Sequence, residues 1–144
     1  MPMSHINQSS GKSSQKRGPQ EAVPAKTLRT FLFERASEKE IQDNILEWLS
    51  LKGMVAFHIP NHGKYDAKTN RYNITDRHHV PGVPDICVIL KNGKTLWIEV
   101  KRFGGPISRD QLKFLSHLNN MGHLATVAHS VEETETFMRT RGLL

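Results

Sequence analysis

Apolar residues return at helical intervals in three stretches of the chain, and each stretch opens on a start signal. Ser37-Glu38-Lys39-Glu40 is a capping box, and Ile41, Ile45, Trp48 and Leu49 behind it share one face, so the pattern predicts a helix from Ser37 to a stop at Gly53. Ser108-Arg109-Asp110-Gln111 repeats the box ahead of the stripe Leu112, Leu115 and Leu118, with Gly122 as the stop. Ser130-Val131-Glu132-Glu133 opens a last helix that reaches about Arg139.

Between the helices the pattern shortens to strands: Met54 to Ile59, closed by Pro60, then Ile86 to Leu90, Thr95 to Lys101 and Leu124 to Ala128. Lys91-Asn92-Gly93-Lys94 joins the second and third of these, and its Asn-Gly pair is a hairpin signal. Residues 61–83 are polar and basic and read as one long loop; a loop of that length in a compact domain carries function or is disordered. The order α-β-β-β-α-β-α describes an α/β fold, a mixed sheet flanked by helices.

Alternation along the third strand puts Ile98 and Val100 on one face and Glu99 and Lys101 on the other. A bare Glu-x-Lys is most often a solvated outer face, so the partner strand has to make the difference. Asp85 stands at the start of that partner, after Gly82-Val83-Pro84. A two-residue turn at Asn92-Gly93 would set Asp85 opposite Val100, on the wrong face. A three-residue loop Lys91-Asn92-Gly93, with Gly93 left-handed in a bulge, sets it opposite Glu99, and this is the register we expect. Two opposed carboxylates destabilise a hairpin unless a cation lies between them, which points to a hard divalent ion such as Mg²⁺ or Mn²⁺. Lys101 beside them is placed to orient an attacking water or to stabilise charge on phosphoryl oxygens.

Composition narrows the class further. With 144 residues, 37% of them hydrophobic, the chain has room for one domain and a tail. Residues 1–26 are rich in Ser, Gln, Lys, Gly and Pro and read as a disordered basic tail. Residues 27–36, with Leu28 and Phe31 to Phe33, read as a linker or short docking segment, and 37–144 as the folded domain. Residues 1–36 hold six Lys or Arg against two acids, so +4 of the formal +6 lies there and +2 in the rest, a balance that favours nucleic acid as partner. On the long loop Lys64, Arg71, Arg77 and His79 are candidate phosphate contacts, as is Arg102 directly after Lys101, with Tyr65 and Tyr72 available for stacking.

Other signals are weaker. Gly11-Lys12-Ser13 lacks the upstream glycine and flanking elements of a phosphate loop. His58, His62, His78 and His79 match no zinc spacing, and Cys87 inside an apolar run is a buried small hydrophobe. No apolar run spans a membrane and no leader is readable, so a soluble, cytoplasmic protein is expected.

Pro84-Asp85 followed by Glu99-Val100-Lys101 resembles the PD-(D/E)XK nuclease signature. More narrowly, Glu38-x-x-Ile41-Gln42, Ile59-Pro60-Asn61, Gly82 to Ile86, Trp97 to Lys101, Gly105-Pro106-Ile107-Ser108-x-x-Gln111 and Gly122, in that order, resemble the VRR-NUC family of virus-type replication and repair nucleases. The resemblance implies a restriction-endonuclease-like core and a Mg²⁺- or Mn²⁺-dependent DNA endonuclease. The metal would be held by Asp85, Glu99 and the Val100 carbonyl, with Lys101 near the attacking water, a contributing glutamate on the first helix and Gln111 at the edge of the site. For the first-helix role Glu38 is favoured over Glu40, because the capping box already employs Glu40. Gln111 has a competing structural role as the partner of Ser108.

Stand-alone members of that family resemble Holliday-junction resolvases, which implies branched DNA as substrate, a homodimer, a role in DNA repair and recombination, and viral or prophage origin. The alternatives are a nuclease for flaps, single strands or a short recognised sequence, and a DNA-binding module that keeps the fold without cleaving.

Overall fold

The computed structural model describes residues 35–60, 64–66, 68, 71–73 and 79–144. The tail, the Leu28 and Phe31 to Phe33 cluster, His62, Arg77 and His78 lie outside the described residues. Helix α1, Glu38–Leu51, begins where the sequence predicts: Ser37 accepts from the Glu40 N–H, and Glu40 Oε2 accepts from the Ser37 N–H at 2.8 Å. Ile41, Gln42, Ile45 and Leu49 form its buried stripe.

Strand β1, Ala56–His58, is shorter than expected by assignment, yet its hydrogen bonding runs from the Val55 carbonyl to the Ile59 N–H, so the pairing covers nearly the predicted span. Within the stretch read as one long loop, β2, Lys64–Asp66, and β3, Arg71–Asn73, pair as a separate antiparallel two-stranded sheet with Tyr65 opposite Tyr72. This corrects the loop reading of 61–83. Strands of three residues carrying charge at their ends show no apolar alternation, and backbone hydrogen bonds that pair them leave no mark on hydropathy.

β4, Ile86–Ile89, and β5, Thr95–Val100, form the central hairpin. After it come α2, Arg109–Asn120, capped by Ser108; β6, Leu124–Ala128; and α3, Val131–Thr140, capped by Ser130. The main sheet has four strands in the order β1-β4-β5-β6, antiparallel except for the β5 and β6 pair, which α2 connects. This mixed, open sheet with helices on both sides is the restriction-endonuclease-like α/β architecture.

One face of the sheet supplies Ile86, Val88, Leu96, Ile98 and Val100 to a core shared with Ile41, Ile45 and Leu49 of α1 and Met138 of α3. The other face meets α2, where Trp97 and Phe114 touch edge to face at 6.5 Å between ring centres. Both faces are therefore covered, and the odd-numbered residues of β5 are not on a solvated surface. No helix of the described residues is long and apolar enough to cross a membrane.

Candidate active site

The register of the central hairpin brings the carboxylates together. Ile86 pairs with Ile98 and Ile89 with Thr95, and the Leu90 N–H reaches the Lys94 carbonyl at 3.0 Å, which leaves Lys91, Asn92 and Gly93 as a three-residue loop. Gly93 is left-handed (φ 72°), as expected, and so is Asn92 (φ 66°), a residue that tolerates this region. Extended by one step, the same register sets Asp85 opposite Glu99 on the α2 side of the sheet.

Where the ladder ends, Pro84 matters. Hydrogen-bonded pairs alternate along an antiparallel hairpin, so counting from Leu90 and Lys94 the next such pair beyond Ile86 and Ile98 would be Pro84 and Val100. Pro84 has no N–H to give the Val100 carbonyl, and the Val100 N–H donates instead to Asp85 Oδ2 at 2.8 Å. Asp85 is thereby fixed, and Val100 lines the cleft beside it.

Glu99 is the most buried ionisable group here, 1% exposed. Its Oε1 takes an ion pair from Lys101 Nζ at 2.7 Å and a hydrogen bond from Gln111 Nε2. Its Oε2 is buried with no hydrogen-bond partner. Burial, opposed by the Lys101 hydrogen bond and reinforced by the charge of Asp85, pushes the Glu99 carboxyl up to about 7. Lys101, itself buried, also lies 3.9 Å from Glu38 Oε2.

Around this centre a cleft of about 320 Å³ is lined by Glu38, His79, Gly82, Asp85, Glu99, Val100, Lys101 and Gln111 among others. Glu38 Oε1 lies 3.5 Å from the Arg102 N–H, while Glu40 is taken up by the Ser37 cap, so the two glutamates separate as the capping argument expects. Gln111 fills both of its anticipated positions: Oε1 accepts from the Ser108 N–H at 2.8 Å while Nε2 reaches Glu99. The Ser108 N–H can only donate, which fixes the amide orientation.

Of the candidate DNA contacts, His79 lines the cleft and Arg102 is exposed beside it. Lys64 and Arg71 lie on the β2 and β3 hairpin, described through its backbone alone. Cys87 is buried and burial raises its thiol pKa, so it stays an inert thiol.

Sequence reasoning gave no site role to Lys39, Gln42 or Asp110, which also line the cleft. Gln42 carried a usable signal, one helical turn beyond Glu38 on the buried stripe. Asp110 carried none. It meets Gly82, where φ is +79° and an added Cβ would lie 2.4 Å from the Asp110 carbonyl, so Gly82 alone lets the strand carrying Asp85 dock on the start of α2.

The donor set can be tested against a divalent cation. Among the described residues no three His, Cys or acidic side chains gather into a metal-binding group of their own. What converges is the carboxylates of Asp85 and Glu99, hard oxygen donors beside Val100, with one carboxylate oxygen buried and unsatisfied. An orphaned carboxylate oxygen in the protein interior is costly, and a hard cation is the partner that removes the cost. The residues present fit such an ion.

The model of the VRR-NUC domain matches residues 36–132. None of the curated proteins matches the chain, and neither does any solved structure.

Proposed function

The chain belongs to the VRR-NUC family, nucleases of the PD-(D/E)XK type that hydrolyse DNA, and we propose that it is a metal-dependent endonuclease for branched DNA acting as a homodimer. The observation that carries the metal dependence is the buried, partnerless Oε2 of Glu99 beside Asp85. Asp85, Glu99 and the Val100 carbonyl would hold Mg²⁺ or Mn²⁺, with Glu38 contributing from α1. Bound there, the ion would supply charge to the scissile phosphate and acidify water.

The chain's own residues do the rest. Lys101 Nζ, anchored by Glu99, offers its remaining protons to the attacking water or to a phosphoryl oxygen. Gln111 holds the Glu99 carboxylate in place from the first turn of α2, and Asp85 is held by the Val100 N–H. His79 and Arg102 at the cleft's rim grip flanking phosphates, as do Lys64 and Arg71 from the hairpin, with Arg77 a further candidate from the sequence. The family resemblance to junction resolvases supports a branched substrate, and two cuts in a junction require two copies, because one such cleft is present among the described residues.

The test is cleavage of a labelled four-way junction, a flap, a plain duplex and a single strand in Mg²⁺, Mn²⁺, Ca²⁺ and EDTA, beside Asp85→Ala and Glu99→Ala. Paired cuts in junction arms, present in Mg²⁺ or Mn²⁺ and lost in both variants while junction binding in Ca²⁺ persists, are the expected result. Cleavage in EDTA would overturn the metal assignment, and preference for another substrate the junction assignment.

A further inference from the structure

The two sides of the sheet differ in charge. On one side α1 carries Glu38, Glu40, Asp43 and Glu47 against Lys39, and α3 carries Glu132, Glu133 and Glu135 against Arg139. On the other side α2 carries Arg109, Lys113 and His117 against Asp110. The cations within α1 and α3 are neutralised one helical turn away, Lys39 by Asp43 and Arg139 by Glu135, while Lys52 and Arg141 at their C-caps lie over the Trp48 and Phe137 rings. Arg109 and Lys113 form no ion pair with any described residue.

Spacing arranges the three basic residues of α2 in one row. Arg109, Lys113 and His117 follow at i, i+4 and i+8, so they stand on one face, about 6 Å apart along the axis. All three are exposed, together with Leu112 and Ser116 between them, and line one shallow groove. The row starts at the cleft, since Ser108, Asp110 and Gln111 of the same first turn line it.

We propose that the outer face of α2 is a second DNA-contact surface, on which Arg109, Lys113 and His117 track the backbone of the duplex arm leading away from the cut. This rests on the nuclease reading and adds where the DNA lies. A polyanion reaching Glu99 and Lys101 is repelled by the acidic α1 and α3 side and attracted along α2, the side on which those two residues stand. The alternative occupant, a second copy of the chain, is disfavoured by the same charges, because a two-fold contact through this face would bring the row against its own like charges.

The experiment measures anisotropy of a labelled junction and a plain duplex in Ca²⁺ from about 50 to about 200 mM salt, on the full chain and on Arg109→Ala/Lys113→Ala. Lys91→Ala/Lys94→Ala, at the far hairpin turn, is the control for charge alone. Each lost phosphate contact lowers the log-log salt slope by about 0.9, so losing two makes the wild-type affinity fall about twelvefold more than the variant's over that range. The control keeps the wild-type slope. An unchanged slope in the α2 variant, or an equal loss in the control, would overturn the proposal while leaving the nuclease reading standing. A change of sedimentation coefficient in the α2 variant without DNA would assign the face to self-association instead. Absence of any DNA binding by the wild type would overturn both.

Discussion

Replacing Glu99 by Gln separates a group kept for chemistry from one kept for packing. The substitution preserves shape and removes the charge, so it mimics the protonated carboxyl. With the folded pKa near 7 against an ordinary 4.5, the folded state holds the proton more tightly than the unfolded chain. A raised acid contributes its stability fully below the unfolded pKa, and that contribution is lost as pH rises through the folded value. At pH 8 the ionised Glu99 therefore costs the metal-free protein about 3 kcal/mol relative to the neutral form, taking 1.36 kcal/mol per pKa unit. Glu99→Gln should unfold at higher urea concentration than the wild type at pH 8 in EDTA, by up to that amount, and the gap should close toward pH 4.5. Mg²⁺ at a thousand times its Kd should reverse the order, since it adds about 4.1 kcal/mol to the form that binds it, more than the cost of ionisation. A wild type as stable as the variant in EDTA at pH 8 would refute the reasoning, because Glu99 would then be satisfied without an ion.

Three further outcomes are expected. Cleavage at subsaturating Mg²⁺ should rise about tenfold per pH unit up to about pH 7 and level off above it, because the ion binds the deprotonated carboxylate; a flat profile from pH 5.5 to 8 would disagree. Gln111→Ala should lose about 1 kcal/mol of stability with the cap as well as activity, whereas Gln111→Glu should keep the cap and still lose activity, so denaturation and cleavage assays on the pair divide the two roles. Gly82→Ala should lower stability by about 2 kcal/mol or more, from the positive φ and the clash with Asp110, and depress cleavage with it, read by urea unfolding and junction cutting.

Much of this arrangement was legible because it is local. Ser37, Ser108 and Ser130 mark the helix starts within the four residues that follow them, and the three-residue loop at Lys91-Asn92-Gly93 fixes which face Asp85 occupies. The resemblance to VRR-NUC nucleases supplied the expectation that Glu38 and Gln111 border the site, and the caps explain why Glu40 does not. What escaped was non-local or lacked hydropathy contrast. The contact of Gly82 with Asp110 joins positions whose neighbours in sequence say nothing of each other, and the β2 and β3 hairpin pairs polar strands too short for alternation to register. The burial of Glu99 and Lys101 also depends on α2 covering their face, which periodicity within β5 cannot express.

Gln111 ties a helix start to a carboxylate with one amide. An unsupported first turn is where a helix opens most readily, with free energies far below that of global unfolding. Here that opening has to release Glu99 as well, so the N-terminal turn of α2 and the Glu99 carboxylate belong to one cooperative unit. Amide hydrogen exchange in the first turn of α2 thereby becomes a reporter on the state of Glu99, readable on a protein that is not turning over.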